Sequence, residues 1–312
     1  MMNKPVKNQH FVFQAYQSAW NIGEKHVYLY SKEFGTIEPK AIRTNFSKDY
    51  QYEIDKNNPT NEFENVFSRV ESEISSELSD LIKRLISDNK TILTNSEKTL
   101  ILRLFFNLIS KNEFFIQSIR DTVDKELVAS FENVTINDAH VLSFAEKMKR
   151  LSSEKSNVLQ EYCRNAKTAD EKIFLLILKM LLDMENGSIR EDLTIASSFN
   201  LTKIAEISGK YLNVNVVVSE KPDVVFSNFP ASYDERMSIL LPLSPHILAV
   251  ISLITKSRLS NHIFRVFSLV PYTYDLYASN PKIQRICANN KEALLVMKGV
   301  YELIRKDGVH ND

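Results

Sequence analysis

The sequence predicts an α+β fold, mainly α: a central helical block packed on a small mixed or antiparallel sheet with strands from both ends of the chain. Three observations predict it. Glycine is scarce, six in 312 residues, so few positions interrupt long helices. Residues 61–186 carry apolar side chains at three-and-four spacing, the mark of helices with one buried stripe. Past Glu185-Asn186-Gly187-Ser188 the texture changes to short β-branched runs that suit strands. There is no repeat, low-complexity tract or Gly/Ser linker, so residues 1–312 read as a single composite domain. Its parts are an N-terminal helix and strand segment at 9–60, the helical block at 61–186, a sheet segment at 187–256 and C-terminal helices at 257–312.

The elements follow in order. Asn8 to Tyr16 sets polar groups into a run that otherwise reads as core, and a helix begins near His10. The alternation from His26 to Lys32 predicts a strand over Val27–Tyr30. Thr60-Asn61 can cap a helix to about Ile86, with Phe63, Val66, Phe67, Val70, Ile74, Leu78, Leu81, Ile82 and Ile86 on its apolar face. Ser96 caps a second helix that ends near Ile119, and Glu97 in its first turn favours the dipole. Further helical patterns cover residues 137–152, 156–165 and 169–184. Val214–Val218 and Val224–Phe226 read as strands. Met237–Thr255 is nearly long enough to span a bilayer, but Pro242, Pro245 and His246 lie in its middle. It reads as two buried strands, Ser238–Leu241 and Ile247–Ile251, joined by a Ser-Pro turn. Val27–Tyr30 is expected as a fifth strand of the same sheet. Asn261 to Arg305 returns to helices interrupted at Pro271 and Pro281, before a fraying tail.

Composition excludes several classes. Lysine plus arginine equals aspartate plus glutamate, 39 against 39, which gives no general attraction to nucleic acid or anionic lipid. Cys163 and Cys287 are too few for a disulfide framework or a thiolate zinc site. Met1-Met2-Asn3-Lys4-Pro5 lacks the apolar core of a secretory signal, so a cytoplasmic location is expected. No HxxxH or HExxH pair, glycine-rich phosphate loop or GxSxG elbow occurs. Leu201 to Lys210 matches the first helix and turn of a DNA reader, but the strand run Val214–Val218 follows where a recognition helix belongs. Arg305 and His310 have the spacing of a helical ribonuclease pair, yet they sit at the tail with Gly308 between them. Pro222-Asp223 is half of a metal-dependent nuclease centre, and Asp234-Glu235-Arg236 is only a loose second half.

Paired acids are the stronger lead. Glu64 and Glu71 are seven residues apart and share one helical face. Two such carboxylates can hold a divalent cation or do acid–base work, or can simply be solvated. His10, beside apolar Phe11, Val12 and Phe13, either does chemistry or pins the chain to a backbone carbonyl.

With those residues in hand, the chain resembles the uncharacterised, mainly bacterial domain-of-unknown-function family four-two-three-eight. The matching opening is Gln9, His10, Phe11, Val12, Gln14 and Tyr16, with Phe13 where the family usually has proline, followed by Val27-Tyr28-Leu29-Tyr30. Glu64 and Glu71 match a glutamate-bearing helix. Ser110-Lys111-Asn112-Glu113 stands at an arg-asn/thr-pro-like step, and Ser227-Asn228-Phe229-Pro230 at ser-asp-x-pro. Pro242-Leu243-Ser244-Pro245 is intact. Two departures bear on chemistry: Asn228 is uncharged where the family has an acid, and Lys111 lacks the planar fork of arginine. Either another acid such as Asp223 has taken over, or this member binds without catalysing.

The resemblance and the residues together imply a cytoplasmic bacterial ligand-recognition or accessory protein; a role in antiviral defence or a similar system is an expectation from how such families occur, and no residue argues for it. Its degenerate polar pocket would lie between sheet and helices, built from Gln9, His10, Gln14, Glu64, Glu71, Lys111, Ser227 and Asn228. The rival reading is a metal-dependent hydrolase or nuclease. In that reading Glu64 and Glu71 hold Mg²⁺ or Mn²⁺, His10 is the general base and Lys111 steadies developing negative charge. A third is a protein–protein interaction module, marked by an exposed apolar face at Phe105-Phe106 or Phe114-Phe115. Convergence of His10, Glu64, Glu71 and Asn228 on one pocket would separate these readings.

Overall fold

The computed structural model describes residues 6–50, 62–88, 90–111, 205–206, 209, 212–229, 232–233, 239–253 and 261–309. The helical expectations for 137–152, 156–165 and 169–184, the DNA-reader strand run's preceding residues 201–204, Asp234 to Arg236, Phe114-Phe115 and His310 lie outside them.

The N-terminal segment begins with β1 (Asn8–His10), which pairs antiparallel with β4 (Ser47–Asp49) so that His10 stands opposite Ser47. The expected opening helix is therefore a strand. Only α1 (Gln14–Gln17) and a 3-10 turn at Ser18–Trp20 follow it. Between β1 and β4 lie β2 (His26–Ser31) and β3 (Ile37–Ala41).

Two long helices come next, α2 (Glu62–Ser87) and α3 (Asn95–Lys111). Phe67, Ile74, Leu78, Leu81 and Leu85 form the buried stripe of α2, at intervals that keep one face of a 3.6-residue helix inward. Leu85 takes the place expected for Ile86, which is exposed. Thr94, not Ser96, caps α3. Its N–H donates to Glu97 Oε2 at 2.8 Å and its Oγ1 accepts from the Glu97 N–H at 3.3 Å, a reciprocal capping box. Leu100, Ile101, Leu102, Leu104, Phe105, Phe106 and Leu108 are all buried, so α3 is apolar nearly all round and runs through the core. Phe105-Phe106 is thus core and presents no exposed face.

The remaining strands are β5 (Leu212–Ser219), β6 (Phe226–Ser227), β7 (Ser232–Tyr233), β8 (Ile239–Ser244), β9 (Ile247–Leu253), β10 (Ile263–Val266) and β11 (Arg285–Ala288). Between and after the last two run α4 (Val270–Ser279) and α5 (Lys291–Val309). β8 and β9 form an antiparallel hairpin across Pro245-His246, with an irregularity between Pro242 and Ser244. That hairpin is where the long apolar run goes.

These strands correct the mainly helical expectation. Of the described residues 44% are helical and 29% are in strands, so the fold is not mainly α and sheet is a large part of it. It is divided into three: β1-β4, the five-stranded β10-β5-β9-β8-β7 and the four-stranded β3-β2-β11-β6. Val27–Tyr30 does not join β5, β8 and β9. It pairs with β11, near the other end of the chain, and with β3. The C-terminal region is not purely helical either. β10 extends β5 in parallel, and Pro271 starts α4 rather than breaking it, because proline's missing N–H costs nothing in a first turn.

Aromatic residues bind the N-terminal segment to the sheets. Trp20 and Phe226 lie with ring centroids 4.4 Å apart, and Tyr16 and Phe46 pack on the same cluster at 5.3–5.8 Å. Each such pair adds about 0.5–1.5 kcal/mol beyond its burial. Their polar tips are also used. Tyr16 Oη donates to the Pro242 carbonyl at 2.7 Å and Trp20 Nε1 to Val224 at 2.8 Å. Tyr16 is thereby fixed against the hairpin irregularity, which holds α1 and the end of β1 in place.

Candidate functional site

His10, Phe13, Gln14, Ala15, Glu64, Ser68, Glu71, Ser72, Ser75 and Lys111 surround a pocket of about 370 Å³. They come from three places: the end of β1 with α1, the first half of α2, and the C-terminal described residue of α3. Helical geometry supplies one wall. Glu64, Ser68, Glu71, Ser72 and Ser75 recur at intervals of three, four and seven along α2 and so share a stripe beside its buried face.

Lys111 is the buried charge of the site, 1% exposed, and its ammonium pairs with the Glu71 carboxylate. The same Nζ lies 5.2 Å from the centre of the Phe67 ring, a cation–π contact that offsets part of its lost hydration. Burial pushes the Glu71 carboxyl up from its ordinary value. Lys111 opposes this through its charge and hydrogen bond, and the Glu64 carboxylate adds to it.

His10 is tied to the main chain of another segment. Its Nε2 lies 3.0 Å from the Arg43 carbonyl. A carbonyl only accepts, so Nε2 carries the proton and Nδ1 is the acceptor nitrogen of the neutral ring. Burial lowers the His10 pKa; the Arg43 carbonyl opposes this, and the Lys111 charge adds to the lowering. The imidazole is therefore neutral at pH 7. It pins the chain to a carbonyl and also lines the pocket.

Five of the eight residues singled out in the sequence thus converge: His10, Gln14, Glu64, Glu71 and Lys111. Gln9, Ser227 and Asn228 do not line this pocket. Gln9 is fully buried in β1, where successive side chains point to opposite faces, so it faces away from His10. Ser227 Oγ donates to the Phe229 carbonyl at 2.8 Å and accepts from its N–H at 3.1 Å. Asn228 Oδ1 accepts from the N–H groups of Gln284 and Arg285, both at 3.0 Å, while Nδ2 donates to the Lys282 carbonyl at 3.0 Å. An amide has both a donor and an acceptor for that loop, and a carboxylate has no donor. Asn228 is a clasp on the approach to β11.

Asp223 is likewise structural. Its carboxylate accepts from Ser219 Oγ at 3.1 Å, Ser268 Oγ at 2.6 Å and the Leu269 N–H at 3.1 Å, fixing the start of α4. Among the described residues, no three His, Cys, Asp or Glu side chains come together as a metal-holding group. None of the described helices is long and apolar enough to cross a membrane. The lining residues that the sequence reading passed over are Phe13, Ala15, Ser68, Ser72 and Ser75. The serines were legible, because they occupy the same face as the Glu64 and Glu71 pair.

Fold and pocket together define an α+β protein whose polar cavity is walled by helices and floored by an N-terminal strand. The family model described as "Protein of unknown function (DUF4238)" matches residues 8–263, and the chain belongs to that family. The matched span holds every lining residue of the pocket and ends at the first residue of β10. No curated protein and no solved structure matches the chain.

Proposed function

We propose that this chain is a ligand-recognition protein and that the pocket between β1, α1, α2 and α3 is its binding site. One observation carries the reading: side chains from three separate elements meet around one cavity, with a buried ion pair at its wall. Burying an ion pair costs several kcal/mol of desolvation, and an apolar pair of similar volume would fill the space at least as stably. Polar groups that converge on a cavity fix the orientation of a small molecule bound there, although this lining is more polar than that of most such sites. The cellular reading is a cytoplasmic accessory protein of a bacterium, and the buried, unpaired Cys287 suits a reducing compartment.

Ligand-observed NMR with a fragment library of mixed charge tests the proposal, with Ser68→Trp as the control. Ser68 is exposed on α2, so the indole fills the pocket without entering the core. Fragments that bind the wild type and lose binding in Ser68→Trp are expected. Binding that is indifferent to Ser68→Trp would overturn the assignment.

The metal-dependent hydrolase reading has less support, because the Lys111 ammonium already holds the Glu71 carboxylate that a divalent cation would need. What favours it is the neutral His10 ring, a form able to take a proton. Calorimetric titration with Mg²⁺ and Mn²⁺, compared with Glu64→Gln/Glu71→Gln, separates the two. Saturable binding lost in the double variant would favour the hydrolase.

A further inference from the structure

Helix α5 buries Ala293, Leu294 and Met297 and packs on α4, β2, β3 and β11. Its opposite side is apolar as well: Leu295, Val296 and Leu303 are 52%, 47% and 62% exposed. Helical spacing sets Glu292, Leu295, Gly299, Leu303 and Lys306 along one stripe of that side, at intervals of three, four, four and three. A methyl group added at Gly299 would meet nothing within 4 Å, so packing inside the chain does not call for glycine there. Glycine is also a poor helix former. Close approach of another backbone accounts for it.

We infer that this face joins two copies of the chain, with the two α5 helices antiparallel about a two-fold axis at Gly299. The intervals read the same in both directions, so the pairing closes on itself. Leu295 meets the partner's Leu303, Glu292 meets the partner's Lys306, and the two glycines face each other. Each pair then occurs twice, as a two-fold contact between identical surfaces requires. Charge sets the direction. A parallel pair would put Glu292 against Glu292 and Lys306 against Lys306, whereas the antiparallel pair matches opposite charges and opposes the helix dipoles. Glu302, at the rim, is held by Lys298 of its own helix at 3.7 Å. Lys298 also donates to the Gly35 carbonyl at 2.9 Å, which ties the turn between β2 and β3 to the helix. That turn carries Phe34, 71% exposed, beside the same face. One helix and one turn from each copy make a small interface, so the association is weak, in the micromolar range. No residue of α5 lines the pocket, and the inference stands apart from the ligand reading.

Sedimentation velocity of the full chain from about 1 to 200 μM is the test, with a concentration-dependent shift from monomer to dimer expected. Leu303→Glu, on an exposed position, should weaken association about a hundredfold. Glu292→Lys and Lys306→Glu should each weaken it about tenfold, because like charges then face each other twice per dimer. The double variant Glu292→Lys/Lys306→Glu should regain most of the affinity. Both reversals oppose the helix dipole, so a steadier helix cannot explain that recovery. Gly299→Gln should keep or raise the unfolding midpoint, since glutamine is the better helix former, and should abolish association. Midpoints measured at the lowest concentration show that each variant is folded. A chain that stays monomeric throughout the range would overturn the inference. So would a dimer indifferent to Leu303→Glu and Gly299→Gln, which would use another surface. Single reversals that weaken the dimer with no recovery in the double variant would overturn the antiparallel pairing.

Discussion

Lys32 and Lys111 are both buried, and the chain surrounds them in opposite ways. Lys32, 7% exposed on the residue after β2, donates to the carbonyls of Tyr277, Ala278 and Asn280 at 2.7, 3.0 and 3.1 Å. These are the last carbonyls of α4 and its first following residues, which a helix leaves without partners, so the lysine caps a C-terminus from another element. Burial pushes its pKa down to about 8. Lys111 instead meets the side chain of Glu71, at the wall of a cavity. The same division separates whole regions. Around β6, β11 and α4 the buried polar atoms of Asn228, Asp223, Ser227 and Tyr274 engage main chain or serine hydroxyls. Around the pocket, side chains of different elements face one another. Lys32 and its neighbours serve the backbone, whereas His10, Ser72 and Ser75 bond main-chain carbonyls and also line the cavity that we propose as the site.

The largest expected effect tests the buried pair. Lys111→Met leaves the Glu71 carboxylate buried without its ammonium and should cost about 3–5 kcal/mol in denaturant unfolding. Lys111→Met with Glu71→Leu should recover most of that loss, because no charge is then left uncompensated. A single variant as stable as the wild type would show that the pair is solvated, and the contrast with Lys32 would collapse.

How much of this could be read from the chain depends on the range of the interaction. The Glu64 and Glu71 face was legible because helical spacing is local, and so were the strands of the β8-β9 hairpin. The joining of His10 to that face was suggested by the family resemblance alone. It depends on Tyr16 and Trp20 holding the N-terminal segment against carbonyls more than two hundred residues away. Sheet membership was not legible. Val27–Tyr30 alternates as a strand must, but alternation names no partner, and β11 is a run of only four residues at the other end of the chain. Asn228 misled for a different reason. An uncharged residue at an acidic family position reads as a lost catalytic group until its amide is seen bonding on both sides to one loop.

That position supplies the second, smaller test. Asn228→Asp keeps the acceptor for the Gln284 and Arg285 N–H groups but turns a lone pair toward the Lys282 carbonyl in place of a donor. It should cost about 2 kcal/mol of stability. Binding of any pocket fragment should be unchanged. Loss of binding at preserved stability would move Asn228 from scaffold to site.

The smallest effect is also the most local, and His10 reports it. Its pKa in the folded chain lies below the ordinary 6.5, so between the two values the unfolded chain holds more protons than the folded one. The His10 contribution is therefore in full above pH 6.5 and is lost as pH falls through that window to the folded value. Titration of the ring by NMR should show the lowered pKa directly. In Lys111→Met it should rise, because a facing positive charge has been removed, yet remain below 6.5, because burial is the larger cause. Asn228→Asp should leave it where it was. A His10 titration blind to Lys111 would mean that the two do not share a cavity, and the division between site and scaffold would have to be redrawn from the remaining lining residues.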